Sequence, residues 1–169
     1  KLTGLDPAPG PEMKSTGEVM GSDPEPDVAY LKARMATEVP VASGGGAYVT
    51  VRSADKENVV PIVKELLELG FKVHCTLGTA DVMRRHGLGV QTAYRITERQ
   101  QPDALNLMRK NEIQFIINIP TTSGGAVRDG NMMRRLAVEL NIPFVTTLSG
   151  AKAEVSAIRA QRRGPLIPQ

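Results

Sequence analysis

The sequence predicts an α/β fold in three layers, in which an open, parallel, five-stranded sheet carries helices on both faces. From residue 47 onward, short runs rich in β-branched and aromatic residues alternate with segments in which apolar residues recur every three or four positions. This alternation is typical of a parallel sheet with helical crossovers. The run "FIINI" (115–119) is apolar at all positions but one, as expected for a strand that helices cover on both sides.

Five segments are predicted to be the strands of this sheet. Each is short and rich in Val, Ile, Phe, Tyr or Thr, the residues that favour strands. Right-handed crossovers are expected between them, because chirality imposes that hand on parallel connections. The predicted strands are residues 47–51, 71–77, 90–96, 115–119 and 143–148.

Helical periodicity predicts one helix before the first strand and one after each strand. The clearest case is residues 55–70, where Val59, Val63 and Leu66 share a face and Gly70 ends the helix. The predicted helices are residues 26–36, 55–70, 79–87, 102–111, 130–141 and 151–161.

Composition divides the chain into three parts. Residues 1–45 form a Pro/Gly-rich segment that holds six of the 12 prolines and runs into "SGGG" (43–46), a flexible joint. This segment has too few apolar residues to form its own core, so it is expected to lie on another domain. Residues 46–161 are predicted to be the α/β domain, and residues 162–169 a C-terminal tail.

Composition also excludes several classes of protein. Net charge is only +3, and the basic residues are spread out apart from "RAQRRG" (159–164), so no nucleic-acid partner is expected. No apolar run is long enough to span a membrane. The single cysteine, Cys75, rules out an internal disulfide, and the cytoplasm is the expected compartment. No metal-ligand motif is present, so neither a metal nor a cofactor is expected in this chain.

Polar residues follow the predicted strands, and these strand ends are where open α/β sheets bind ligands. Lys56 and Arg95 supply cations, while Thr76, Gly78 and Thr79 surround the start of a helix. Free N–H groups and the helix dipole favour an anion there. Each residue also has an ordinary structural explanation, since a Thr before a helix is commonly an N-cap. Together they predict a site for one phosphate.

Candidates for catalysis are few. His74 lies within a predicted strand, His86 stands beside a helix end, and Cys75 is expected in the core. Asp129 could be functional, or it could be the N-cap of the helix that follows it. The chain is therefore expected to bind a ligand rather than to catalyse a reaction.

Several motifs resemble the end of the large chain of carbamoyl-phosphate synthetase. The most specific is "GPEMKSTGEVMG" (10–21). The resemblance extends over nearly the whole chain. It continues in "TVRSADK" (50–56), "GF" (70–71), "TLGTA" (76–80), "IIN" (116–118), "TTSG" (121–124), "RR" (134–135) and "TTLSGAKA" (146–153).

This resemblance implies a methylglyoxal-synthase-like fold that serves as the allosteric domain of that synthetase. In the bacterial branch such domains bind uridylate as inhibitor and inosinate as activator, and ornithine acts at the border with the synthetic domain. The implied phosphate site is Lys56, Thr76, Gly78, Thr79 and Arg95. The implied ribose or base ligands are Asn118 with Thr121 or Thr122, in "NIPTTSG", which is longer than the family's usual "NTTSG". The implied ornithine border is Phe144 and Thr146.

The resemblance also implies a parent enzyme. It would make carbamoyl phosphate from glutamine, bicarbonate and ATP with Mg²⁺, and with Mn²⁺ or K⁺ possible, for arginine and pyrimidine biosynthesis. Its partners would be the rest of the large chain and a small glutaminase chain, and residues 1–45 would end an ATP-using domain.

Two alternatives stay open. One is a lyase acting on a triose phosphate, as in methylglyoxal synthase, although the "GDQQ"-like segment of those enzymes is missing from "TTSGGAVRDGN" (121–131). The other is an interaction domain with a degenerate pocket. Some relatives of the synthetase sense acetylglutamate, and Lys56 with Arg95 favours a phosphate over that ligand.

Overall fold

The computed structural model describes residues 19–37, 39–120 and 125–163. In these ranges the strands are β1 Gly46–Val51, β2 Lys72–Cys75, β3 Gln91–Thr92, β4 Phe115–Ile119 and β5 Phe144–Val145. The helices are α1 Pro26–Met35, α2 Val60–Glu68, α3 Leu77–Arg85, α4 Ala104–Arg109, α5 Gly125–Glu139 and α6 Leu148–Arg162. No helix in the described ranges is long and apolar enough to cross a membrane.

The five strands form one parallel sheet in the order β3-β2-β1-β4-β5, which confirms the predicted fold class. Strand β1 lies at the centre of the sheet. Strands β2 and β3 follow on one side of it, and the chain then crosses to form β4 and β5 on the other side. The strand order therefore reverses between β1 and β4, and this switch point is where such sheets bind ligands.

Two apolar layers cover the sheet, because successive strand residues point to opposite faces. Val49 and Val51 of β1 pack in the layer built with α2, α3 and α6. Tyr48 of the same strand packs in the layer built with α4 and α5, next to Ile116 in the neighbouring strand. Helices thus lie on both faces, as the sequence predicts.

The first helix, α1, packs on this same domain. Leu31 is fully buried in the core shared with α6. Arg159 of α6 donates to Asp27 of α1 over 3.1 Å and to Glu65 of α2 over 2.6 Å. In this structure α1 therefore packs on the α/β domain, and the assignment of residues 1–45 to another domain stays a prediction. The domain boundaries at 45 and 161 stay predictions.

A buried ion pair also holds α1 against α6. Arg34 donates from Nε and Nη2 to the two carboxylate oxygens of Glu154 over 2.8 and 3.1 Å, and Glu154 is 1% exposed. The Tyr30 hydroxyl donates to the same carboxylate over 3.1 Å. Burial and the charge of Glu154 raise the pKa of Tyr30 to about 12, so this phenol remains a donor.

Several predicted element bounds are wrong. Helix α3 begins at Leu77 rather than at residue 79, and α4 begins after Asp103, whose carboxylate caps Asn106 N over 2.8 Å. Strands β2, β3 and β5 are shorter than expected. The largest difference is α5, which begins at Gly125 and runs straight through Gly130. A Cβ on Gly130 would stand 2.7 Å from Asn118 Nδ2, so this glycine permits a close approach and does not mark a helix start.

The burial of His74 in β2 predicts that stability depends on pH. It is 2% exposed, and neither ring nitrogen has a hydrogen-bond partner in the described part of the chain. Burial and the charge of Lys72 lower its pKa, against an opposing effect of Glu112. The His74 imidazole therefore binds a proton more readily in the unfolded chain than in the folded chain. We expect the free energy of unfolding to fall as the pH drops below about 6.5.

We expect His74→Leu to remove this slope in urea unfolding measured between pH 8 and pH 5. His86→Gln is the matched control, because His86 is exposed and bonded to Glu57 over 2.7 Å. An unchanged slope in His74→Leu would assign the acid sensitivity to other groups.

Candidate functional site

A cleft opens at the carboxyl ends of β1 and β4, at the switch point of the sheet. Strand β1 and the turn after it contribute Thr50, Arg52 and Lys56, and β4 contributes Asn118. The start of α3, the segment before α4 and the first half of α5 close the remaining sides with Thr76, Gly78, Arg95 and Asp129. The structure thus brings together Lys56, Thr76, Gly78, Arg95 and Asn118, five of the residues singled out in the sequence.

The ammonium group of Lys56 lies over the start of α3. A Cβ on Gly78 would stand 2.8 Å from Lys56 Nζ. Any residue other than glycine at position 78 would therefore force the lysine ammonium group to move. Within the described residues Lys56 forms no ion pair. A cation therefore faces the helix end at which the N–H groups of Leu77 and Gly78 have no acceptor within the helix.

Three threonine hydroxyls lie close together around the N-cap of α3. Thr76 is the N-cap of α3 but its side chain makes no capping bond. Instead its Oγ1 lies 3.2 Å from Thr79 Oγ1 and 3.5 Å from Thr50 Oγ1. Thr79 is fully buried behind Thr76 and is not part of the cleft wall, so it can orient Thr76 but does not face the cleft. Thr50, which the prediction did not include, does.

Two arginines flank the cleft. Arg95 is exposed, and its backbone N–H donates to Glu98 over 2.9 Å, which holds the turn that carries it. Arg52 forms an ion pair with the buried carboxylate of Asp55. Because Asp55 neutralises Arg52, Lys56 and Arg95 are the cations best placed to meet an anion.

Asn118 forms the opposite wall at the end of β4. Its side chain is 4% exposed and packs against α5 at Gly130. The predicted partners Thr121 and Thr122 lie outside the described residues.

The deep end of the cleft is formed by Tyr48 and Asp129. Tyr48 is 2% exposed and Asp129 5%. Asp129 lies inside α5, so its interpretation as an N-cap is wrong. One carboxylate oxygen accepts from Thr97 Oγ1 over 3.2 Å, and the other, Oδ1, is buried with no partner among the described residues. Sequence reasoning did not identify Tyr48 as a site residue, because a tyrosine within a strand is usually part of the hydrophobic core.

A second groove lies at the sheet edge, between β5 and α1. It contains the predicted border residues Phe144 and Thr146, together with Arg34 and Arg134. The guanidinium of Arg134 stacks 5.5 Å from the centre of the Phe144 ring. The two predicted sets of residues therefore occupy separate places on the domain.

The remaining titratable candidates stay away from the cleft. His74 is buried in the sheet, and His86 ends α3 in its bond to Glu57. Burial raises the pKa of Cys75 to about 12, which makes its thiol a core group rather than a nucleophile. In the described residues no group of His, Cys, Asp or Glu is arranged to hold a metal ion.

Comparison with known proteins decides the family. The family model described as the MGS-like domain matches residues 58–146, just over half of the chain. The chain belongs to the MGS-like domain family. The matched region runs from the turn after Lys56 to Thr146 and so includes most of the cleft.

The curated relatives of this MGS-like domain are longer proteins. The chain is 43% identical over 167 residues to the carbamoyl phosphate synthase large chain, C-terminal section, of Methanocaldococcus jannaschii, covering 98% of this chain and 27% of that protein. It is 43% identical over 158 residues to the same section in Methanopyrus kandleri, covering 94% and 29%. It is 41% identical over 167 residues to the large chain of Synechocystis sp., covering 98% and 15%. These matches confirm the resemblance that the motifs indicated, and the chain spans less than a third of each of these relatives.

Gly78→Ala should separate stability from ligand binding in this MGS-like domain. The new methyl group would displace Lys56 Nζ, which is the end of a flexible side chain and can move. Replacing a helical glycine by alanine stabilises by up to about 1 kcal/mol, so we expect a raised melting temperature together with weaker anion binding. Gly87→Ala, at a positive φ of 74°, is the contrasting control, since it should lower stability and leave the cleft intact. Unchanged anion affinity in Gly78→Ala would show that Lys56 does not act from its position over α3.

Proposed function

We propose that this chain is a regulatory domain that binds a phosphate-bearing effector, a nucleoside monophosphate, in the cleft at the switch point. The observation that carries this proposal is the Lys56 ammonium held over Gly78 at the start of α3. A phosphate seated there would meet a cation, N–H groups of the helix end and the Thr76 hydroxyl, and each of these favours an anion.

Charge balance supports a phosphate monoester. Such a group carries about −1.5 to −2 charges near pH 7, which Lys56 and Arg95 together balance. Arg95 supplies a planar donor fork suited to two phosphate oxygens at once. Asn118 would then face the ribose or the base, with Thr121 or Thr122 beside it as the resemblance implies.

The parent protein in this proposal is a carbamoyl phosphate synthase of the cytoplasm. It makes carbamoyl phosphate from glutamine, bicarbonate and ATP with Mg²⁺ for arginine and pyrimidine biosynthesis, and the rest of the large chain and a small glutaminase chain are its partners. The groove at Phe144 and Thr146 would face the synthetic part of the large chain and contribute to an ornithine site. This chain itself would hold no cofactor, and an effector would act by binding the active and inactive arrangements of the parent with different affinity.

Calorimetric titration of the 169-residue chain tests the proposal. The chain would be titrated separately with uridylate, inosinate, ornithine and acetylglutamate. We expect binding of at least one nucleotide and weak or no binding of acetylglutamate. Acetylglutamate binding without nucleotide binding would replace the phosphate effector by an amino-acid derivative, and binding of none of the four would favour an interaction domain with a degenerate pocket.

The buried Asp129 is the one observation that favours a lyase. A carboxylate with a bare oxygen in a phosphate-binding cleft could remove a proton from a triose phosphate. However, within the described residues no histidine reaches this cleft, because His74 and His86 both lie elsewhere. We therefore expect no methylglyoxal from dihydroxyacetone phosphate, and turnover above a buffer blank that is lost in Asp129→Asn would establish the enzyme.

A further inference from the structure

The deep end of the cleft presents one hydrogen-bond donor and one acceptor, and neither has a part in holding the phosphate. Burial, followed by the charge of Asp129, raises the pKa of Tyr48 above its usual range. The phenol therefore stays protonated and can donate. Asp129 Oδ1 can only accept while the carboxylate is ionised, and it has no partner among the residues that the structure describes.

A buried carboxylate oxygen without a partner costs free energy in the folded state. The other oxygen of Asp129 is already held by Thr97, so the side chain cannot turn to satisfy Oδ1 without losing that bond. A ligand group that donates to Oδ1 would regain this free energy when it binds.

We propose that Tyr48 and Asp129 determine which phosphate ester this cleft accepts, because Asp129 accepts from and Tyr48 donates to a neutral group on the ligand. This inference rests on the proposed phosphate site. It specifies a ligand whose second part both donates and accepts hydrogen bonds, either a sugar hydroxyl or an amide edge of a base.

The same pair excludes a second anionic group. A ligand carboxylate at the deep end would face the charge of Asp129 in a site with little water, where like charges repel strongly. A dicarboxylate such as acetylglutamate therefore does not fit this cleft, even though Lys56 and Arg95 would attract one end of it.

The experiment compares inorganic phosphate, ribose 5-phosphate, uridylate and acetylglutamate by calorimetry on the wild-type chain, Tyr48→Phe and Asp129→Asn. Tyr48→Phe removes only a hydroxyl, and Asp129→Asn keeps the shape but removes the charge. Circular dichroism and melting temperature establish that each variant is folded. Asp81→Asn is the matched control, since the Asp81 side chain is 60% exposed on α3.

We expect the ratio of ester affinity to inorganic phosphate affinity to fall by about fivefold in Tyr48→Phe and by about tenfold or more in Asp129→Asn, as for a neutral and a charged hydrogen bond. Asp129→Asn should also raise the affinity for acetylglutamate relative to the ester. If ribose 5-phosphate loses affinity in the variants, the pair binds the sugar. If uridylate alone loses affinity, the pair binds the base.

Two results would overturn the inference while leaving the proposed phosphate site intact. One is a wild-type chain that binds inorganic phosphate as tightly as the esters. The other is a variant in which phosphate and ester affinities change by the same factor. A wild-type chain that binds no phosphate or ester at all refutes the proposed function itself, and the inference with it.

Discussion

Arg34→Ala is expected to lower the free energy of unfolding by about 3–5 kcal/mol, because it leaves the buried carboxylate of Glu154 without its counter-charge. Glu154 is 1% exposed, and Arg34 meets it through two hydrogen bonds. After the change the Tyr30 hydroxyl is the one donor to this carboxylate that remains among the described residues. A loss of this size is a large fraction of the roughly 5–15 kcal/mol that stabilises an ordinary domain. Guanidinium unfolding of the chain measures it.

The control variants separate the charge from the packing. Tyr30→Phe removes one hydrogen bond and should cost about 1 kcal/mol. The double variant Arg34→Met with Glu154→Leu removes both charges and keeps apolar volume, so it should recover most of the loss. If Arg34→Ala costs less than the Tyr30 variant, α1 is not docked on α6 in solution, and the assignment of α1 to this domain fails.

Lys56→Ala should weaken nucleoside monophosphate binding by tenfold to a hundredfold, the effect of losing one charge-assisted hydrogen bond of about 1.5–3 kcal/mol. The fold should be unaffected, because Lys56 is only partly buried and follows the end of β1. Binding should also become less dependent on salt, because one cation fewer contacts the phosphate.

The matched control is Lys64→Ala, which removes an exposed lysine on α2, 4.0 Å from Glu68 and away from the cleft. Its nucleotide affinity should equal that of the wild type. Equal affinities for Lys56→Ala and the wild type would remove Lys56 from the site, whereas equal losses in both lysine variants would indicate a general effect of net charge.

Local sequence determined most of the fold. The run 115–119 is β4 to the residue, and the repeat of Val59, Val63 and Leu66 lies within or beside α2. These patterns predict elements correctly because a helix that is buried on one face and a strand that is buried on both faces each show a distinct spacing of apolar residues. Element ends are set by single hydrogen bonds and close contacts. For this reason the starts of α3 and α5 were misplaced.

The grouping of the residues at the positive end of the candidate site could also be predicted from sequence. Residues that follow parallel strands must meet at one edge of the sheet, so Lys56, Thr76, Gly78 and Arg95 were found together from their positions in the chain alone. Thr79 shows the limit of that reasoning, since spacing does not tell whether a side chain faces the cleft or the core.

By itself, then, the sequence determined the fold class, the family and the positive end of the cleft, because each depends on spacing along the chain. Only the tertiary structure decided that α1 packs on α6 and that Tyr48 and Asp129 form the deep end of the cleft. Those features depend on pairs far apart in sequence, such as Arg34 with Glu154 and Thr97 with Asp129. The physical reason is that a partner across the fold decides whether a buried polar group is capped, paired or left facing a ligand.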